Sequence, residues 1–224
     1  MGTFCLNFRM IMVKKLKKKL NPIKVQQVLI EKQFKIFTPL DLQRNFGVSY
    51  DTARKFILRY VKKGFIIKLR KGMYSLETYL PSEVEIANRI YSPSYVSLEY
   101  GLMFYNIIPD TVYTVTSVTT KGTREFVINN ISYTYSKIKK NAFRGYLRKS
   151  VGGNIVLIAE AEKAFIDYLY FVDLGKKVVY DRIDVSKLSK NKLLEYAKLF
   201  KRKSLIKLVN KIYDQSRRSK TIIY

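Results

Sequence analysis

The sequence predicts an α+β fold with two domains behind a short basic arm, and three observations support this prediction. A helical segment ending at Gly47 is followed by another helix and by two short strand-like runs. Period-two alternation begins at Thr111, and amphipathic helical patterns return from Ala159 onward. With 224 residues, 47% of them hydrophobic, the chain can bury two cores, and its character changes at Leu80-Pro81.

The first domain, residues 22–80, starts with a predicted helix from Pro22 to Gln33. Its inward-facing residues are predicted to be Val25, Val28 and Leu29. A second helical segment contains Leu40, Leu42 and Phe46 and is followed by Gly47. Because glycine tolerates a left-handed backbone, Gly47 predicts a tight turn between two helices.

The third predicted helix begins after Ser49, an expected N-cap, and ends at Gly64, an expected C′ residue. Asp51 lies at the positive end of the helix dipole. One face is apolar and predicted to be buried: Ala53, Phe56, Ile57, Tyr60 and Val61. The other face is polar: Asp51, Thr52, Lys55, Arg59 and Lys62. This division is typical of a recognition helix that packs on its domain and meets DNA with its outer face.

Two strand-like runs follow, Phe65–Leu69 and Met73–Leu76, joined by Arg70-Lys71-Gly72. A hairpin with this basic tip would reach phosphates or the minor groove. Helix, glycine turn, helix and hairpin together predict a winged helix-turn-helix that binds double-stranded DNA. The alternative is the same fold used to pack against protein, since fold does not fix function.

The candidate DNA contacts fall into three groups. The major-groove residues are Tyr50, Thr52, Lys55 and Arg59. The hairpin contributes Arg70 and Lys71, and Ser49 and Arg54 are expected to touch phosphate.

Charge is distributed unevenly along the chain, whose net charge is +26. Residues 1–80 carry 18 basic and 4 acidic residues, residues 81–171 carry 10 and 8, and residues 172–224 carry 15 and 5. Two basic regions that attract a polyanion are therefore expected, one at each end of the chain. A solvated lysine-rich surface is the alternative for each of them.

The single cysteine, Cys5, excludes an intramolecular disulfide, and the absence of histidine excludes a Cys/His zinc site. The apolar part of residues 1–21 is too short to cross a membrane, and its charges follow it instead of preceding it as in a secretory signal. We therefore expect a poorly ordered basic arm at residues 1–21 of a cytoplasmic protein that has no cofactor.

The second domain, residues 81–224, is predicted to be mixed α/β with a helical C-terminal tail. The predicted helices are Ser82–Ile90, Val96–Phe104, Ala159–Tyr170, Ser186–Phe200 and Lys203–Gln215. The predicted strands are Thr111–Val118, Phe126–Ile128, Ile131–Tyr135 and Ile155–Ile158. Asn129-Asn130 and Gly152-Gly153 are the expected turns.

Two segments resemble the AbiEi family of antitoxins from type IV toxin-antitoxin systems. They are SPSYVSLEYGLMFYNIIPDTVYTVTS, residues 92–117, and GGNIVLIAEAEKAFIDYLYF, residues 152–171. In this order after a winged helix, they extend the resemblance over residues 22–171. One departure is Glu99, where many relatives carry a small residue.

This resemblance implies an N-terminal domain that binds inverted-repeat operator DNA and represses its own operon. It also implies a C-terminal domain that neutralises a toxin. The toxin in this family is usually a nucleotidyltransferase encoded beside the antitoxin, and the antagonism is thought to need no stable complex.

An enzymatic interpretation is not favoured. A two-metal nuclease needs clustered carboxylates, and the candidates are Glu160, Glu162, Asp167 and Asp173. On one helix Glu160 and Asp167 share a face that Glu162 does not, and Lys163 is expected to form a surface salt bridge with one of them. The alternative function is an RNA-binding or RNA-processing factor that uses the basic C-terminal helices.

Overall fold

The structure, a computed structural model, describes residues 19–151 and 153–220, with side chains described as far as Gln215. Residues 1–18 of the expected arm and Gly152 of the expected turn lie outside the described residues. The chain forms two compact units. The first contains the described residues up to Ile67 together with Gly72–Leu80, and the second contains Lys68–Lys71 and the described residues after Leu80. The predicted α+β class is confirmed.

The first unit consists of three helices followed by most of a hairpin, since Lys68–Lys71 of the hairpin are grouped with the second unit. The helices are α1 (Pro22–Glu31), α2 (Pro39–Phe46) and α3 (Tyr50–Lys62), and the strands are β1 (Ile66–Arg70) and β2 (Met73–Leu76). Its core contains the fully buried Val25, Leu29, Phe37, Leu42 and Ala53. Val28, predicted to face inward, is half-buried.

Side chains and proline define where α1 and α2 start. The Asn21 side chain accepts hydrogen bonds from the backbone N–H groups at the start of α1, where Pro22 occupies the first position. At α2 the Thr38 hydroxyl accepts from the Asp41 N–H at 3.3 Å, and the Asp41 carboxylate accepts from the Thr38 N–H at 2.8 Å. This capping box fixes the first residue of α2.

The second unit is built on a mixed sheet. Its strands are β3 (Ser94–Val96), β4 (Val115–Thr119), β5 (Arg124–Ile128), β6 (Ile131–Lys137), β7 (Tyr146–Val151) and β8 (Asn154–Ala159). In the described residues the strand order is β5-β6-β4-β3-β8-β7. The β4–β6 and β3–β8 pairs are parallel, and the other pairs are antiparallel.

The helices of the second unit are α4 (Glu83–Ile90), α5 (Leu98–Phe104), α6 (Ala161–Asp173), α7 (Lys190–Lys198) and α8 (Lys203–Lys220), with a 3-10 turn at Lys140–Ala142. Its main core joins α5, α6, α7 and α8 to one side of the sheet. Within the described ranges, no helix combines the length and the apolar character needed to cross a membrane.

The predicted Asn129-Asn130 turn is confirmed. Both residues have positive φ, 49° and 62°, and Ile128 pairs with Ile131 across the turn. Asparagine adopts this conformation more readily than most residues, which is why the pair identified a two-residue hairpin.

Several predicted boundaries were wrong. Val96, expected to start a helix, ends strand β3, and the predicted strand at Thr111 starts four residues later, at Val115. β7 was not predicted. The last two helices also differ, since α7 begins at Lys190 instead of Ser186 and α8 extends to Lys220. At Val96, the wrong prediction has a physical reason: all three residues of β3 are buried, so the strand lacks the alternation of a half-buried strand.

The side chain of Asn88, in α4, hydrogen-bonds to the backbone of β8 next to the point where β8 pairs with β3. β3 meets β8 at the pair Val96 and Ile158. At the next residue, Leu157, the Asn88 side chain takes the place of a strand, since its amide donates to the carbonyl at 3.1 Å and its oxygen accepts from the N–H at 2.5 Å. These two bonds satisfy the backbone donor and acceptor of the half-buried Leu157.

Helices α5 and α6 cross at Gly101. A Cβ atom added to Gly101 would lie 2.9 Å from the Ala164 Cβ, so the absence of a side chain permits the close approach. On the same helix α5, Glu99 forms an ion pair with Lys177. The Gly101 contact fixes α5 against α6, which carries the buried charges described below, and the ion pair joins α5 to the segment that follows α6.

Candidate nucleic-acid interface

The turn between α2 and α3 has the predicted geometry. Gly47 ends α2 in the left-handed conformation, with φ 62°, and donates its N–H to the Gln43 carbonyl at 2.9 Å. Ser49 caps α3, its hydroxyl accepting from the Thr52 N–H at 3.1 Å. The Ser49 and Thr52 hydroxyls are also hydrogen-bonded to each other at 2.9 Å. Both candidate contact residues thus have fixed positions at the start of α3.

The inner face of α3 packs as predicted at Ala53, Phe56 and Ile57, which are buried. Tyr60 is half-buried, and its ring lies 4.5 Å from the Phe56 ring and 5.6 Å from the Phe65 ring between centroids. This packing orients the helix, so the residues opposite the apolar stripe face solvent.

The outer face of α3 carries most of the predicted contact residues. Tyr50 is 51% exposed, and Arg54 and Arg59 are also exposed. Lys55 forms an ion pair with Asp51, at 2.7 Å, in which both side chains are mostly exposed. The hydrogen bond from Lys55 lowers the pKa of the Asp51 carboxyl. Such an exposed pair is weak, so it contributes little to stability and restrains Lys55 only slightly.

The first strand of the hairpin is shifted by one residue from its prediction, since it extends from Ile66 to Arg70 instead of from Phe65 to Leu69. Arg70 belongs to β1, so the turn consists of Lys71 and Gly72, with Gly72 at φ 83°. Lys71 is exposed. The Arg70 guanidinium donates to the backbone carbonyl of Ile90, a residue of the second unit to which Arg70 also belongs. Arg70 is therefore engaged within the protein, unlike Lys71.

Further exposed basic residues lie on the same elements and were not predicted as DNA contacts. They are Arg44 in the last turn of α2, Lys62 and Lys63 at the end of α3, and Lys68 on β1. Lys62 follows Lys55 by seven residues, about two helical turns, so both lie on the same face of α3. This spacing could have identified Lys62 as a candidate contact. Arg44 offers no such signal.

A second cluster of polar groups is buried in the second unit. Lys163 and Asp167, one helical turn apart on α6, form an ion pair in which neither side chain is exposed. The other carboxylate oxygen of Asp167 accepts from the Tyr95 hydroxyl at 3.0 Å and from the Ser97 hydroxyl at 2.9 Å. The expectation of a surface salt bridge at Lys163 was wrong, because α6 is buried around its whole circumference along these residues.

Burial controls the protonation of this cluster. It raises the pKa of the Asp167 carboxyl, against the ammonium of Lys163 and the two hydroxyl donors, which lower it. Burial also lowers the pKa of Lys163 and raises that of Tyr95. With no solvent access to the pair, the cluster connects α6 to β3 and α5 rather than facing a substrate.

The carboxylates that were candidates for a metal site have separate partners. Glu160 pairs with Lys192 at 3.1 Å, Glu162 accepts from the Ser189 N–H at 3.2 Å, and Asp173 pairs with Arg202. Across residues 19–151 and 153–220, no three histidine, cysteine or acidic side chains come together as metal ligands.

No protein-family model matches the chain, and no curated protein matches it.

Proposed function

We propose that the first unit is a winged helix-turn-helix that binds double-stranded operator DNA, and that the protein is a transcriptional autorepressor. The observation that carries this proposal is the two-sided character of α3. Its inner face is in the core, while its outer face presents Arg54, Lys55 and Arg59 to solvent just beyond the Gly47 turn. A helix held in this way can enter the major groove.

In this proposal Tyr50, Lys55 and Arg59, which are exposed on α3, face base edges together with the half-buried Thr52. Ser49 and Arg54, at its N-terminal end, contact phosphate. Lys71 is the better hairpin candidate, since Arg70 would have to leave the Ile90 carbonyl to reach a phosphate.

Operator preference tests the assignment. The probe is a labelled duplex from the region upstream of the gene, and the competitor is a scrambled duplex of equal length at the same salt concentration. The double variant Lys55→Ala with Arg59→Ala should lower the preference by a factor of roughly 5 to 150 for each base-reading side chain removed. The control, Lys19→Ala with Lys24→Ala, removes the same charge from exposed positions outside α3 and should keep the preference. An unchanged preference in the α3 variant would refute the assignment.

We also propose that the protein is an antitoxin against a nucleotidyltransferase-type toxin. Support comes from the resemblance of residues 92–117 and 152–171 to AbiEi antitoxins. When a neighbouring nucleotidyltransferase gene is expressed alone, growth should stop, and co-expression of this chain should restore it. The α3 double variant should also restore growth if neutralisation belongs to the second unit. Failure of the wild-type chain to restore growth would remove the antitoxin role and leave operator binding untouched.

A second candidate function is an RNA-binding or RNA-processing factor. The observation that favours it is the set of exposed lysines on α7 and α8. Competition between upstream duplex DNA and tRNA at one salt concentration decides between the candidates. Tighter binding of tRNA would favour this second function.

A further inference from the structure

Three lysines form a row on α8. Lys203, Lys207 and Lys211 are spaced by four residues and are all exposed. The opposite face of the helix is anchored in the core by Leu205 and Val209, both fully buried. At about 1.5 Å per residue the row extends over roughly 12 Å along one helix face.

The charges of this row are not neutralised by the neighbouring acids. Asp173 is taken by Arg202 and by the Ser204 hydroxyl, at 3.0 Å for the latter. Asp214 is paired with Lys190 at 2.9 Å. Among the described residues, no acidic side chain lies within ion-pair distance of the three lysines.

The local composition makes this surface strongly positive. Residues 198–215 contain six basic residues and one acidic residue. Lys198 and Lys201, between α7 and α8, are exposed as well. A polyanion that displaces its counterions here gains free energy from their release.

The row suits a phosphate backbone better than unstacked bases. Lysine is a flexible point charge without a flat face. Proteins that hold single strands stack the bases on exposed aromatic rings. Tyr213 of α8 is buried, Tyr196 of α7 is half-buried, and Phe200, between the two helices, is buried. Regularly spaced phosphates on a double helix therefore fit the chemistry best.

We propose that Lys203, Lys207 and Lys211 form a second nucleic-acid contact, on the second unit, which binds the backbone of duplex DNA independently of sequence. The choice of duplex DNA rests on the operator function proposed for the first unit. The row adds affinity for any duplex and leaves the discrimination between sequences to α3.

The experiment measures the salt dependence of binding for the full chain. The probe is a fluorescein-labelled duplex of random sequence, about 30 base pairs long, titrated between roughly 50 and 200 mM salt. The triple variant Lys203→Gln, Lys207→Gln and Lys211→Gln should reduce the slope of log affinity against log salt by about 0.9 for each phosphate that the row neutralises in the wild-type chain. Its preference for the upstream duplex over the scrambled duplex should be unchanged, which separates it from the α3 variant.

A matched control is the triple variant Lys140→Gln, Lys176→Gln and Lys187→Gln, which removes equal charge from exposed positions of the second unit outside the row. Its slope should change less than that of the α8 variant. Equal effects of the two triples, or none from the α8 triple, would overturn the proposal. A hairpin RNA of similar length is the other probe. If the α8 triple variant lost RNA binding but retained duplex DNA binding, the choice of DNA would be overturned.

Discussion

Replacing Lys163 by methionine should destabilise the second unit strongly. The Lys163 ammonium lies beside Asp167, and both side chains are completely buried. It also lies 5.6 Å from the centroid of the Tyr95 ring and 5.1 Å from that of Phe200. Methionine fills most of the same volume among these rings but carries no charge. The change therefore leaves the Asp167 carboxylate without its cation.

The size of the effect follows from burial. Removing one partner of a buried ion pair costs about 3 to 5 kcal/mol, because the other charge stays desolvated and unpaired. Adding Asp167→Asn removes that charge, and the amide oxygen can still accept from the Tyr95 and Ser97 hydroxyls. Its NH₂ group then lacks a partner at a cost of about 1 to 3 kcal/mol. The double variant should thus be more stable than Lys163→Met alone.

Stability of the single variant should also fall more strongly with rising pH than that of the wild-type chain, in which burial already raises the pKa of Asp167. Lys163 is a cause that lowers the pKa of Asp167, whereas burial raises it and remains after the substitution. The folded-state pKa then lies above the unfolded value of about 3.9. Stability is fully retained below the unfolded pKa and is lost as pH rises through the folded pKa, because the folded state holds the proton more tightly. The double variant has no carboxyl at this position and should lack the effect.

Urea denaturation at pH 5 and pH 8, followed by near-UV circular dichroism of tyrosine, measures both effects. Tyr95 is a suitable reporter, since its ring is buried against Lys163. The reasoning is refuted if Lys163→Met loses less than about 1 kcal/mol at pH 8, below the range for a broken buried pair. It is equally refuted if the double variant is no more stable than the single variant, or if the single variant is more stable at pH 8 than at pH 5.

Three smaller changes test other contacts. Gly101→Ala should cost about 1 to 3 kcal/mol in urea denaturation, because its Cβ would lie 2.9 Å from that of Ala164, and adding Ala164→Gly should recover part of the loss. Ser49→Ala should lower the stability of the first unit by about 1 kcal/mol in thermal melting through loss of the α3 cap. Asn88→Ala should speed amide hydrogen exchange at Leu157, whose N–H loses its acceptor, and unchanged exchange would contradict the role given to Asn88.

Local signals in the sequence predicted the elements that depend on local chemistry. Gly47 and Asn129-Asn130 marked turns because few residues adopt positive φ easily. Ser49 marked the start of α3 because a hydroxyl can accept from the free N–H groups of a first turn. Each of these features needs only a few neighbouring residues, so a single sequence contains enough information to identify it.

Elements that depend on distant partners could not be predicted in this way. The buried strand β3 has only three residues, too few for a period to be recognised. The strand β7 carries exposed Tyr146, Leu147 and Arg148 in succession, a pattern without alternation. It forms an edge of the sheet in the described residues, where one side of the strand has no neighbouring strand to bury it.

The candidate DNA contacts also divide into those that local signals predict and those that depend on distant partners. The exposed face of α3 follows from the helical period and could be predicted. The ion pair of Lys55 with Asp51 follows from their spacing of four residues. The bond from Arg70 to Ile90 joins residues twenty positions apart and depends on tertiary structure, so the sequence alone offered no reason to remove Arg70 from the contacts.

Two lysine–aspartate pairs show how far spacing can determine function. Asp51 with Lys55 and Lys163 with Asp167 are both four residues apart on a helix. The first pair is exposed, because one face of α3 remains outside the core, and so only a weak interaction holds Lys55 to Asp51. The second pair is completely buried, because other helices and the sheet surround α6, and exchanging its partner would mean unfolding the core. Spacing predicts that a pair forms, but the surroundings of the helix decide whether it can bind a ligand or instead stabilises the fold.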